Sequence, residues 1–216
     1  MRLFPTSARA EVAGADLQFP SSLVVPAGGT VKVTAGDNAY GYCAKGGTAN
    51  VLGRSIALMD GMIFAVPGPA EIESVTGFAA IRHGFSGLTS FGFIEREGRL
   101  PYIDGCSDTL LVAPPVLGDP CLNYLFMPAG TRQTMHTHPS VRIAIIVAGS
   151  GWCVTPAGRE PLAAAQAFIL APDEAHCVHT DGEAMHIVVY HPDSDFGPAP
   201  KDHPMINKTM LGGGRT

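Results

Sequence analysis

At 216 residues, with 46% hydrophobic and only 15% charged side chains, the chain has the make-up of an ordinary globular protein, large enough for one sizeable domain or two small ones. Its net charge of −5 and pI near 5.9 leave no basic stripe for nucleic acid or an anionic membrane surface, and no apolar run approaches the ~20 residues of a membrane span. Together 26 glycines and 18 prolines supply turns at a density that suits many short strands.

The first residues, MRLFPTSARAEVAGADLQ, lack the continuous apolar core of a signal peptide, so a cytoplasmic protein is expected. Beyond them the chain reads as β throughout. LVV, VKV, MIFAV, FAAI, YLFM, RIAIIV, AFIL and HIVVY are short, rich in β-branched or aromatic residues and separated by Gly, Pro, Asp and Asn. The alanine-rich run 163–167 is too short to stand as a helix.

Two halves share this pattern. Pro26-Ala27-Gly28 opens one and Pro128-Ala129-Gly130 the other, and a second glycine follows 19 residues later in each, Gly47 and Gly149. Gly53-Arg54 and Gly158-Arg159 then mark turns, followed by comparable strands from Leu58 and Leu162. A repeat of about 100 residues fits a duplicated small domain rather than a solenoid unit. The charged, turn-rich run IEREGRLPYIDG places the boundary near 98–105, dividing the chain into 1–100 and 101–216.

Five cysteines, Cys43, Cys106, Cys121, Cys153 and Cys177, are odd in number and lack a CxxC spacing, so buried free thiols are expected. Cys106, in the polar turn DGCSD, is the one to inspect for reactivity.

Chemistry concentrates in the second half. His136 and His138 are two apart on a segment read as a strand, so both imidazoles face one side and can approach one metal ion. His176, in LAPDEAHCVH, offers a third ligand where a strand restarts after a Pro-Asp turn. Laid on the first half, His136 falls on Thr34, His138 on Gly36 and His176 near Ile72, so all three are lost together. Gln133 has the wrong parity to join them without a bulge, and His179, three residues past His176, faces away on regular strand parity. Phe126, Met127, Met135, Trp152 and Tyr190 read as core packing, and His186 and His191 as hydrogen-bonded or exposed.

Gly130, His136, His138 and Gly149 resemble the first motif of the cupin superfamily, a glycine, then HxH, a glutamate and a glycine. The stretch 171–180 resembles the second motif, with His176 as its histidine. The resemblance implies an all-β chain of two tandem jelly-roll barrels, a first barrel without ligands and a second holding one divalent metal on His136, His138 and His176. It also implies a homodimer and a small-molecule substrate. This sequence departs from the pattern in three places: Arg142 stands for the ligand glutamate, Ala171 and Asp173 for a proline and a glycine, and Thr180 for an asparagine.

A cation beside a metal is unfavourable unless an anion lies between them. Arg142 therefore either turns to a structural carboxylate or receives an anionic substrate. Three-histidine cupins include dioxygenases acting on small keto, hydroxy-aromatic or thiol compounds, which implies iron and oxygenase chemistry. The alternatives are a zinc, nickel or manganese isomerase or lyase, in which His179 or Tyr190 moves the proton, and a module that binds a small ligand without chemistry. The tail from 191, with Asp193, Asp195, Asp202 and His203, reads as a solvated arm anchored by Met205 and Ile206, and the closing GGGRT as disordered.

Overall fold

A computed structural model describes residues 1–199; the arm residues Asp202 and His203, the expected anchors Met205 and Ile206 and the closing GGGRT lie outside the described residues. The strands come in two series. The first is β1 (Arg2–Pro5), β2 (Ala10–Ala13), β3 (Ser21–Val25), β4 (Val31–Val33), β5 (Asn38–Lys45), β6 (Gly47–Val51), β7 (Arg54–Leu58), β8 (Met62–Pro67), β9 (Ala70–Glu73), β10 (Thr76–Arg82) and β11 (Ser90–Phe93). The second is β12 (Leu100–Pro101), β13 (Ser107–Val112), β14 (Cys121–Met127), β15 (Arg142–Ala148), β16 (Ser150–Thr155), β17 (Gly158–Ala163), β18 (Gln166–Leu170), β19 (Cys177–Thr180) and β20 (Met185–His191). Among the described residues the one helical element is a 3-10 turn, Ile103–Gly105. The alanine run forms the turn between β17 and β18, as its length dictates.

These strands make two pairs of antiparallel sheets. In the first half, β11-β8-β5-β10-β3-β2 lies opposite β4-β9-β6-β7; in the second, β1-β18-β15-β20-β14-β13-β12 lies opposite β17-β16-β19. Position by position the large sheets correspond, with β1 taking in the second the edge that β11 takes in the first. Residues 2–5 pair with 166–169, so the segment 1–100 is not self-contained: its first strand belongs to the C-terminal sheet.

Why the strands sit this way follows from where their apolar faces go. Val31-Lys32-Val33 alternates buried, exposed, buried, as a strand with one wet face does. Met62–Pro67, Thr76–Arg82 and Arg142–Ala148 are buried almost continuously, because both faces of the large sheets are covered. One core lies inside the first half, around Phe64, Val66 and Ile72. Another lies inside the second, around Met127, Ile146 and Ile187. A third joins the two large sheets back to back, with Tyr40, Ile63 and Phe78 from one meeting Ile143, Ile145 and Tyr190 from the other.

The repeat is real in register but offset from the alignment of Gly47 with Gly149. Gly47 pairs with Leu58 and Gly151 with Leu162, and each glycine lies flat against the neighbouring strand. A Cβ at Gly47 would come within 2.3 Å of Glu73 O, and one at Gly151 within 2.3 Å of His179 O. Gly47 therefore matches Gly151, which sets Ala70 against His176 and the Val33–Ala70 pair against the His136–His176 pair. A second anchor agrees in kind: Gly61 N–H donates to Cys43 O and Ala165 N–H to Ile146 O, which sets Ala39 against Arg142 and Ile81 against His191. Positions that are polar in the second half are thus small or aliphatic in the first.

All five cysteines are buried and free. Burial, with Asp104 nearby, pushes the Cys106 thiol up to about 11, so this is a packing residue and not a nucleophile.

Gly151→Ala and Gly47→Ala should each destabilise the protein by ~1–3 kcal/mol through overpacking against a backbone carbonyl. Gly182→Ala, where a Cβ meets nothing within 4 Å, should change little. Thermal unfolding of the three variants checks the contrast.

Candidate metal centre

His136 lies in an irregular segment between β14 and β15, and two backbone hydrogen bonds place it. Its N–H donates to His176 O at 3.0 Å and His176 N–H donates back at 2.9 Å, a reciprocal pair that sets the two residues directly opposite each other. His138, two residues on, is held by Asp173 N–H donating to its carbonyl at 2.7 Å. Asp173 has φ +57°, a left-handed conformation that aspartate tolerates better than most residues, so the turn keeps its shape without the glycine of the motif.

The three rings converge, with centroids 5.0 Å apart for His136 and His138, 4.6 Å for His136 and His176, and 5.1 Å for His138 and His176. One ligand nitrogen from each lies within 4.8 Å of the others. The outer nitrogens are committed elsewhere. His136 Nδ1 lies 2.7 Å from Thr134 O, and His176 Nδ1 lies 2.7 Å from Glu174 O. A carbonyl only accepts, so both Nδ1 atoms carry the proton and both Nε2 lone pairs are free to ligate. Burial, then Arg142, then the other two histidines lower the His138 imidazole to about 3; burial and the same cations lower His176. Neutral imidazoles fit a divalent cation, and the donor set suits iron, zinc, nickel or manganese.

Around them is a cavity of about 70 Å³ walled by Leu125, Phe168, Ile187 and Val189. Arg142 lines it and is itself 8% exposed. One terminal nitrogen, Nη1, is used structurally. It donates to Ser140 O and Val141 O, both at 3.2 Å, and to Ser140 Oγ, and lies 3.8 Å from Asp193 Oδ1. Its Nε is buried and, among the described residues, has no partner. Arg142 therefore stands beside a structural carboxylate, Asp193, and also lines the cavity. Asp193 is accordingly no solvated tail residue: Ser140 Oγ donates to it and it stands beside the guanidinium.

Two expected proton-transfer candidates lie elsewhere. Tyr190 is fully buried in the core between the large sheets, 3.2 Å from Ser21 Oγ and 5.3 Å ring to ring from Tyr40. Strand parity explains this: Ile187, Val189 and His191 turn into the cavity, so Tyr190 turns out. His179 pairs with Trp152 across β16 and β19, with Nε2 at 3.4 Å from Cys177 Sγ, on the face away from the cavity.

Four cavity residues were not singled out from sequence. Gln133 is one that parity had set aside; its Oε1 accepts Val178 N–H at 3.1 Å while its side chain lines the cavity, because the segment is irregular. His191, half-buried on the cavity wall, has its imidazole driven well below the ordinary value by burial and Arg142. Asp108 has its carboxyl raised to about 6 by burial, against two hydrogen bonds from Asn123 Nδ2 at 3.2 and 3.3 Å. Tyr102 stands beside it, its phenol raised by burial and by Asp108. Asp108 and Tyr102 lie on segments whose polarity read as boundary turn, and only the packed fold folds them over the cavity.

No protein-family model and no curated protein matches the chain. Solved structures do. A cupin 2 conserved barrel domain protein from Leptotrichia buccalis superposes with a TM-score of 0.61 at 14% identity, over 85% of this chain and 88% of its own. A putative glyoxylate-induced protein from Pseudomonas aeruginosa gives 0.64 at 14% identity, over 90% and 89%. A salicylate 1,2-dioxygenase from Pseudoaminobacter salicylatoxidans, in a structure with gentisate adducts, gives 0.59 at 9% identity, over 82% and 69%. At these identities the likeness is one of fold, and this chain has the β-barrel fold of the cupins.

Proposed function

We propose that this protein is a metal-dependent oxygenase, with iron favoured, acting on a small hydroxylated carboxylate held between the three-histidine centre and Arg142. The observation that carries the reading is the buried Arg142, its Nε without a partner among the described residues, lining the same cavity as three convergent imidazoles. Support for the substrate class comes from the dioxygenase of similar fold, whose named substrate, salicylate, carries a carboxylate next to a hydroxyl.

A divalent ion on His136, His138 and His176 would supply positive charge to a substrate oxygen and, as iron, electron exchange with dioxygen. This chain's own residues do the rest. Arg142 Nε donates to the substrate carboxylate and fixes the molecule's direction in the cavity. Asp108, raised by burial, accepts the proton of a substrate hydroxyl at near-neutral pH. Leu125, Phe168, Ile187 and Val189 keep water out, and the cavity's size restricts entry to small molecules.

Elemental analysis of the wild type should find about one equivalent of metal, and His136→Ala, His138→Ala and His176→Ala should each lose it. Equal metal in all four preparations would remove the site. Oxygen consumption with a panel of small hydroxy-carboxylates should then identify a substrate. Turnover that proceeds without oxygen would instead favour the non-oxidative reading.

Arg142→Met should raise KM for the carboxylate substrate on the order of 10–100-fold, the cost of a lost charged hydrogen bond, with a smaller change in kcat. Asp108 also predicts a pH effect on stability. Its folded value of about 6 lies above the ordinary 3.8, so ionising it in the fold is unfavourable. That contribution is intact below 3.8 and is lost as pH rises through about 6. After metal removal, the unfolding midpoint of Asp108→Asn should therefore gain on the wild type between about pH 4 and about pH 7. A constant difference would argue against a buried, reluctantly ionised carboxyl.

A further inference from the structure

The half without metal ligands carries a polar constellation of its own. Ser22 on β3, His83 just past the end of β10 and Asp37 just before β5 meet at the end of the first large sheet. Ser22 Oγ lies 2.8 Å from His83 Nε2, and His83 Nδ1 lies 3.0 Å from Asp37 Oδ2. Pairing explains the meeting: β10 runs between β3 and β5, with Arg82 opposite Ser21 on one side and Asn38 on the other. His83 is then one step beyond both partners and within reach of a side chain on each.

The order of these contacts sets the proton positions. Asp37 only accepts, so Nδ1 of His83 carries the hydrogen, and Nε2 presents its lone pair to the Ser22 hydroxyl. The carboxylate is itself oriented, its Oδ1 accepting Gly84 N–H at 3.0 Å. The His83 backbone is pinned at both ends: its N–H donates to Pro20 O at 2.9 Å, and its carbonyl accepts from Arg82 Nη1 at 2.7 Å. A nucleophile bonded to a base, with the base bonded to an orienting acid, is the arrangement that makes a serine hydroxyl reactive, and it is recognised by geometry rather than by chain order.

Position separates this relay from a structural hydrogen-bond chain, which is ordinarily buried. The His83 side chain is 41% exposed and Asp37 18%. Ser22, Asp37 and His83 together line an open cavity of about 470 Å³ in the first half. Arg9 lines the same cavity and brings a cation to it.

We propose that Ser22, His83 and Asp37 form a second reactive centre, independent of the metal site, that cleaves small carboxylic esters through an acyl-serine. Ser22 Oγ attacks the ester carbonyl as its proton passes to His83 Nε2. The tetrahedral adduct collapses, the C–O bond to the alcohol breaks, and the leaving alkoxide takes the proton from His83. Water then attacks the acyl-serine with His83 again as base, releasing the carboxylic acid and restoring the serine. Asp37 acts as a positioning residue, holding the tautomer.

The test is covalent labelling of the full-length protein with a fluorophosphonate, mapped by peptide mass spectrometry, beside hydrolysis of p-nitrophenyl acetate. Ser22 should be phosphonylated faster than every other serine in the chain, and Ser22→Ala should abolish both the adduct and the hydrolysis while keeping its metal content and unfolding midpoint. His83→Ala should slow labelling on the order of 10²–10⁴-fold. Asp37→Asn should slow it as well, and Asp37→Glu should recover part of the rate. Labelling of Ser22 no faster than that of the other serines, or an unchanged rate in His83→Ala, overturns the proposal. Either result leaves the oxygenase reading untouched, because Ser22 and His83 lie outside its cavity.

Discussion

Everything proposed for the second half depends on two backbone hydrogen bonds, those exchanged between His136 and His176. The segment around His136 and His138 is not a regular strand, so period-two alternation alone does not position their rings. The reciprocal pair puts the first and third imidazoles directly across from each other, and the Asp173 to His138 bond keeps the second within reach. A metal centre needs its ligands held to within about 0.5 Å, and here the main chain supplies that accuracy while Thr134 and Glu174 carbonyls fix ring orientation.

Much of this was legible in the sequence, and the reasons it stopped being legible are physical. Short apolar runs between turn residues marked the strands, and the HxH spacing with a third histidine after a Pro-Asp turn marked the three side chains that converge. Parity failed at two kinds of place. At β20 both faces are apolar, one toward the inner core and one toward the opposite large sheet, so sequence alone could not say that Tyr190 points away while His191 points in. At Gln133 the backbone is irregular, and the alternation rule has no purchase there. The partner of Arg142 was hidden for another reason: Asp193 comes from a stretch whose composition reads as solvated tail, and only long-range packing brings it to the guanidinium.

The two halves place different side chains at matching positions. Where the first places Val33, Ala70, Ala39 and Ile81, the second places His136, His176, Arg142 and His191. Four apolar positions of the first half correspond to four polar ones in the second, each carrying a desolvation cost where it is buried unless a ligand or a hydrogen bond compensates. The first half keeps an apolar cluster around Phe64, Val66 and Ile72, and its polar groups Ser22, Asp37 and His83 line an open cavity, where solvent shares the cost of solvating them. Stability and chemistry are thus apportioned differently over one architecture, and neither half is a mere copy of the other.

The strand β1 adds a constraint in time rather than in space. Phe4 pairs with Ala167, so β1 finds its partner only after the more than 150 residues that follow it have been made. Until then its backbone donors and acceptors are open to any other edge, including that of a neighbouring nascent chain. Closing a loop of that length adds little to the equilibrium cost, since loop entropy grows only with the logarithm of length, but it slows the search for the native pairing. Pro5, at the end of β1, lacks a backbone donor and limits how far such an unpaired strand can extend. Completion of the second large sheet therefore waits on β1, far away in sequence, finding the edge of β18.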